Sequence, residues 1–258
     1  MLIAMNIIKQ TRWKFLLGVF KIKRIINKWF GVRRLDYEPK IIYILTDTLR
    51  EYETRARSVR KEPKTVSWIE KNGEKTAVFY DIGANIGAYS LIATALGIRV
   101  VAFEPAPQNI YKLQENILVN KLTERITVVP LMLAEREGVA KSYIKVRNFG
   151  ASHSFSLHEQ LSDSSLVGQD FLAIGLDLCI KIFSLPKPTM IKIDVDGAEI
   201  DLINGATKIF QDLTLKHILI EVGDDNKEII QKLTNFGFGL VDEERSGPLT
   251  TNYIFERL

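Results

Sequence analysis

The 258-residue chain has one cysteine and three histidines, and its first 34 residues contain no acid. A single cysteine, Cys179, excludes a disulfide framework within the chain and makes a thiolate metal site untenable. His153, His158 and His217 are too scattered to suggest zinc ligation. No uncharged run approaches the ~20 residues that a membrane-spanning helix needs. An uninterrupted apolar core followed by a small-residue cleavage site, the mark of a signal peptide, is also missing. These absences point to a reduced, intracellular protein, expected in the cytoplasm. What is there is ordinary for a folded domain: 46% hydrophobic and 26% charged residues, in a chain long enough for one α/β domain with an appendage.

The net charge of +4 is unevenly placed. Residues 1–34 carry nine Lys or Arg, which leaves 26 basic against 31 acidic residues in the remainder. The basic character belongs to the arm and not to the body, which weakens a nucleic-acid reading. Within the arm, Ile7, Trp13, Phe20, Ile25 and Trp29 recur at roughly helical spacing among the cations. Residues 1–75 therefore read as a basic, amphipathic, helical N-terminal extension. Its apolar face either packs on the domain or a second subunit in a homo-oligomer, or lies peripherally on anionic lipid at the inner membrane surface.

From Thr76 to the end, residues 76–258, short β-branched runs alternate with helical stretches, the pattern of a parallel sheet wrapped by helices. Strands are expected at 77–81, 99–104, 126–131, 190–195 and 217–222, with a closing antiparallel hairpin near 239–242 and 252–256. Helices are expected at 87–96, 107–120, 198–210 and 226–236. Between 138 and 172 the pattern breaks into Ser, His, Asn and Gly-rich sequence, which reads as an insertion on the substrate side.

The first strand ends in Asp81 and runs into Ile82-Gly83-Ala84-Asn85-Ile86-Gly87. Glycine permits φ > 0 and close approach of a ligand, and the following helix directs N–H groups at an anion. A dinucleotide enzyme would carry G-x-G-x-x-G here, but Asn85 and Ala88 occupy the second and third glycine positions. Glu104, about twenty residues on, stands where a carboxylate accepts both hydroxyls of a ribose. Two strand-end acids around a glycine turn describe a nucleoside without a pyrophosphate, which suits S-adenosyl-L-methionine. The competing reading makes Asp81 and Glu104 helix caps.

The runs Phe79-Tyr80-Asp81-Ile82-Gly83-Ala84-Asn85-Ile86-Gly87-Ala88-Tyr89-Ser90, Ala102-Phe103-Glu104-Pro105 and Ile191-Lys192-Ile193-Asp194-Val195-Asp196-Gly197-Ala198-Glu199 resemble the FkbM family of methyltransferases. Lys61 to Ile69 and Ile218-Leu219-Ile220-Glu221 are similar to it as well. The resemblance implies a class I, Rossmann-like methyltransferase fold, with a seven-stranded, mostly parallel sheet and helices on both faces. It also implies methyl transfer to a hydroxyl oxygen, often on a sugar, glycan or other small molecule. Carried over by position, Asp81, Gly83, Ala84, Asn85 and Gly87 line the methionine end of the cofactor, and Glu104 holds the ribose. Leu133 and Ala134 form the adenine edge, and Glu62 closes over the methionine tail.

Methyl transfer from a sulfonium is an in-line displacement governed by positioning, helped by a base or a metal ion. Asp194 and Glu221, at adjacent strand ends, are candidates for the base or for a divalent cation site, with Asp196 as a further acid. His153, in the insertion, is the third candidate base. Lys192, in an apolar strand, needs a carboxylate partner if buried. Two rival functions stand beside this one. A nucleic-acid methyltransferase of the amino-group type would carry an Asn/Asp-Pro-Pro-aromatic segment where this chain has Asp194-Val195-Asp196-Gly197. The second is a non-catalytic protein that retains the fold to bind the donor or a partner, and the intact cofactor constellation argues against such decay.

Overall fold

The computed structural model describes residues 31–258, apart from 48, 75, 146–165, 196 and 224–226. Most of the arm, His153 and His158 in the insertion, and Asp196 therefore lie outside the described residues. No helix among the described residues is long and apolar enough to cross a membrane.

Strands β1 (Val32–Arg34) and β2 (Tyr43–Leu45) form a short antiparallel pair. Helices α1 (Leu49–Thr54), α2 (Ser58–Lys61) and α3 (Pro63–Asn72) follow. Pro63 opens α3 at a position whose N–H has no helical partner, so its ring costs nothing there. Leu35, Ile44, Val66, Trp68 and Ile69 are buried in one cluster with Phe79, Leu91 and Ile92, so the packed core runs across residue 75. Polar ties reinforce the join. Asn116 Oδ1 accepts from the Leu45 N–H at 2.7 Å, and Lys112 is ion-paired with both Asp47 and Glu51.

The chain then alternates β3 (Val78–Ile82), α4 (Ala88–Ala95), β4 (Arg99–Phe103), α5 (Pro107–Val119) and β5 (Ile126–Val129). Next come β6 (Met132–Leu133), β7 (Gly138–Lys145), β8 (Leu166–Ile174) and α6 (Leu176–Phe183). The last part runs β9 (Met190–Ile193), α7 (Glu199–Asn204), α8 (Thr207–Gln211), β10 (His217–Gly223), α9 (Lys227–Asn235), β11 (Phe238–Arg245) and β12 (Thr250–Arg257). Seven strands form the main sheet in the order β11-β12-β10-β9-β3-β4-β5. All neighbours are parallel except β12, which runs against both β10 and β11. Such central strands are covered on both faces, and all four residues of β9 and the last four of β3 and β4 are buried.

Chain order reverses at β3, with β4 and β5 on one side and β9 and β10 on the other. In open α/β sheets the crevice for a ligand opens at that point, beyond the carboxyl ends of the strands.

Three features differ from the sequence expectation. The helix expected over 198–210 is two short helices broken at Gly205, where a Cβ would stand 2.0 Å from the Ala134 carbonyl oxygen. Helix α6 was not foreseen, because its eight residues carry no flanking signal beyond Gly175. The ends of the 138–172 segment are not irregular: β7 and β8 pair antiparallel, and β8 also pairs with β6 in a separate three-stranded sheet.

Candidate active site

The turn after β3 is shaped by close backbone contact. Gly83 and Ala84 donate N–H bonds to the Phe103 carbonyl at 2.9 and 3.0 Å, pinning the turn to the end of β4. Gly83 has φ +79°, and a Cβ there would lie 1.8 Å from the Asp194 carbonyl oxygen. Only glycine lets this turn meet the end of β9 so closely. Gly87, at φ +91°, caps α4 against Leu113.

Beyond the turn lies a cavity of about 320 Å³, within the size range of small-molecule sites. Gly83, Asn85, Glu104, Pro105 and Asn109 line one part of it, and Leu131, Met132 and Leu133 supply an apolar wall. Glu104 is buried, and its two oxygens accept N–H bonds from Asn85 (2.8 Å) and Ala106 (2.9 Å). Burial pushes its carboxyl up to about 7 against those bonds, the Asn109 side chain and the charge of Arg55. A carboxylate on the rim of a nucleoside-sized cavity beside an apolar wall suits a ribose with its base.

On the other side of β3, Asp194 and Glu221 line the same cavity. Lys192, 1% exposed, places Nζ 2.9 Å from Asp194 Oδ2 and 5.1 Å from the Tyr89 ring centroid. Burial opposes the charge of Lys192, but Asp194, Asp81 and Glu62 outweigh it and hold the ammonium above its ordinary range. The same exchange, with a hydrogen bond to Glu221, holds Asp194 well below the carboxylate range despite its burial. Glu221 moves the other way: burial, then the charge and hydrogen bond of Asp194, push it up to about 7. Ser246 Oγ, from the β11–β12 turn, donates to Glu221 Oε1 at 2.6 Å. The two acids titrate as a linked pair, with Asp194 held down and Glu221 pushed up by it.

The family model for the methyltransferase FkbM domain matches residues 81–240, which contain the glycine turn, Glu104, Asp194 and Glu221. The chain belongs to the FkbM methyltransferase family. It is thus an S-adenosylmethionine-dependent methyltransferase with the class I fold. Hexuronic acid methyltransferase AglP of Haloferax volcanii is 26% identical over 184 residues, covering 70% of this chain and 71% of that protein. Among solved structures, magnesium protoporphyrin IX methyltransferase of Synechocystis PCC 6803, with bound S-adenosylmethionine, superposes with a TM-score of 0.52. That match has 11% identity, covers 83% of this chain and 86% of the other, and shows the shared fold.

Not every residue expected at the FkbM cofactor site lines the cavity. Gly83, Asn85, Glu104 and Leu133 do. Ala134 does not: its N–H is bonded to the Ile174 carbonyl at 3.1 Å and its own carbonyl abuts Gly205. Adjacent residues of β6 and its continuation face different ways, so Leu133 takes the wall and Ala134 packs behind it. Ala84 is turned to Phe103, and Gly87 serves the start of α4. Asp81 sits behind the turn, where Oδ2 accepts from Ser90 Oγ at 2.6 Å and Oδ1 is buried without a partner. That bond ties Asp81 to the first turn of α4. Glu62 is buried and does not line the cavity, and its carboxylate lies 2.5 Å from Lys61 Nζ. Burial raises its carboxyl, but Lys192 and Lys61 outweigh this and lower it.

Sequence reasoning missed Arg55, Lys61, Asn109, Met132, Ser246 and Thr250, all on the cavity. Ser246 and Thr250 flank the closing hairpin turn, the single signal that could have drawn attention to them. Cys179 is buried in the core, and burial pushes its thiol up to about 11, so it is no nucleophile. Among the described residues no three His, Cys, Asp or Glu side chains gather as metal ligands, and Asp194 is ion-paired with Lys192.

Proposed function

We propose that this enzyme methylates a hydroxyl oxygen of a sugar, of the hexuronic acid class for which its Haloferax relative is named. The observation that carries the reading is the Asp194–Glu221 pair beside Lys192, on the same cavity as Glu104 but across β3. Strand spacing puts the ends of β4 and β10 about 14 Å apart, three steps of ~4.8 Å. A cofactor lying across these ends, its ribose on Glu104, brings its methyl group toward the acid pair.

Bound S-adenosylmethionine supplies a methyl group on a sulfonium. Glu104 takes the ribose hydroxyls, and Leu131 to Leu133 cover the adenine. Gly83 and Asn85 give the backbone surface for the methionine part. Asp194, kept ionised by Lys192, orients the acceptor hydroxyl. Glu221, free of its proton above about pH 7, takes the hydroxyl proton as the oxygen attacks. A positioned base of matched pKa contributes typically 10²–10⁴-fold.

The test is transfer of labelled methyl from S-adenosylmethionine to a uronic acid glycoside. Label in an alkali-stable ether is the expected result. Label released by mild alkali, a methyl ester on the carboxylate, would remove the need for a base at Glu221. No transfer to any sugar would overturn the acceptor class.

A further inference from the structure

We propose that Arg55 receives the carboxylate of the acceptor sugar and so selects a uronate over a neutral sugar. The inference rests on the sugar reading above and deepens it. Two cations line the cavity among the described residues, Arg55 and Lys61. Lys61 is committed to Glu62 at 2.5 Å. Arg55 is half-buried, its Nε is buried without a hydrogen-bond partner, and no ion pair holds its guanidinium among the described residues. A guanidinium left in this way in a cavity is an incomplete site, because a buried donor without an acceptor loses its water and gains nothing.

Arg55 lines the same cavity as Glu104, Asp194 and Glu221, and its charge acts on both Glu104 and Asp194. An acceptor carboxylate brought to Asp194 and Glu221 meets like charge, and Arg55 is the group on the cavity wall that offsets it. The planar guanidinium also matches a carboxylate in two parallel bonds, which a lysine does not. In this proposal the carboxylate at Arg55 is the acceptor's, and the group that reacts is a neighbouring hydroxyl.

The experiment compares methyl glucuronide with methyl glucoside as acceptors for wild type, Arg55→Gln and Arg55→Lys, with S-adenosylmethionine affinity measured calorimetrically on each. Wild type should prefer the glucuronide. Arg55→Gln should raise KM for the glucuronide by about 100-fold, the scale of removing one partner from a buried charge pair. The same variant should change the glucoside KM far less than the glucuronide KM, so that the preference collapses, and Arg55→Lys should recover part of it. Equal use of both sugars by wild type overturns the role of Arg55 while leaving sugar methylation standing. No transfer to either sugar overturns both. A weaker cofactor affinity in Arg55→Gln with the sugar preference intact reassigns the residue to the methionine carboxylate and overturns the proposal.

Discussion

Replacing Lys192 by Met tests the electrostatic frame of the site. Lys192 is 1% exposed, bonded to Asp194 Oδ2 at 2.9 Å, and its charge is balanced against Asp194, Asp81 and Glu62. Methionine keeps the straight chain against the Tyr89 ring and removes only the ammonium. Breaking a buried pair by deleting one partner costs about 3–5 kcal/mol, since the remaining charge stays desolvated. In a chain of this size that is a fall in Tm of about 10 °C. The pH dependence has a definite sign. In wild type the folded pKa of Asp194 is depressed, so its contribution is present above its unfolded value of about 3.9 and lost as pH falls. Lys192 is raised, so its contribution is present below about 10.4 and lost as pH rises through its folded value. In the variant, Asp194 must either stay charged and buried or take a proton, so the deficit grows as pH rises from 4 toward 7. Melting curves at pH 4.5, 6 and 7.5 should show a widening gap between the two proteins. A constant gap under about 3 °C would refute the claim that Lys192 neutralises the cluster.

Other perturbations follow from the same geometry. Glu221→Gln should lower kcat by about 10²–10⁴-fold and abolish the rise of rate with pH through about 7, leaving cofactor affinity unchanged; a variant that keeps the rise refutes the base assignment. Glu104→Gln should weaken S-adenosylmethionine binding by about 10–100-fold by calorimetry, because charge-assisted bonds to the ribose are lost. Gly83→Ala should cost about 2–4 kcal/mol in denaturant unfolding, from the contact with Asp194 O and the positive φ together; a neutral result contradicts the tight turn. Deleting residues 1–30, which spares β1, separates the two readings of the arm: loss of retention on vesicles of anionic lipid with transfer to a soluble acceptor unchanged assigns it to the membrane surface. A fall in Tm instead assigns the arm to packing.

The parts of this molecule that can be read from its sequence are those built from local signals. Strand β3, the glycine turn and Glu104 follow from one strand-end acid, two glycines and a second acid about twenty residues on. The order of the strands in the sheet is carried by the family resemblance. What could not be read depends on which side chains the fold brings together. Asp194 and Glu221 are visible as strand-end acids, but their linked titration depends on β9 and β10 being neighbours and on Ser246 reaching across from the next turn. Lys192 signals that it needs a carboxylate, and the structure shows it facing three. Arg55 comes from a stretch of mixed pattern whose place above the sheet no periodicity announces. Ala134 stays off the cavity, because the alternation that turns Leu133 inward turns its neighbour toward Gly205.

The central claim is that the donor lies across the ends of β4, β3 and β9, with its ribose on Glu104 and its sulfur toward Asp194 and Glu221. A crystal structure with S-adenosylhomocysteine measures this directly. Both ribose hydroxyls within hydrogen-bonding distance of the Glu104 carboxylate, and the sulfur facing the acid pair, is the predicted result. A ribose held elsewhere, or a ligand outside the cavity, would contradict the account.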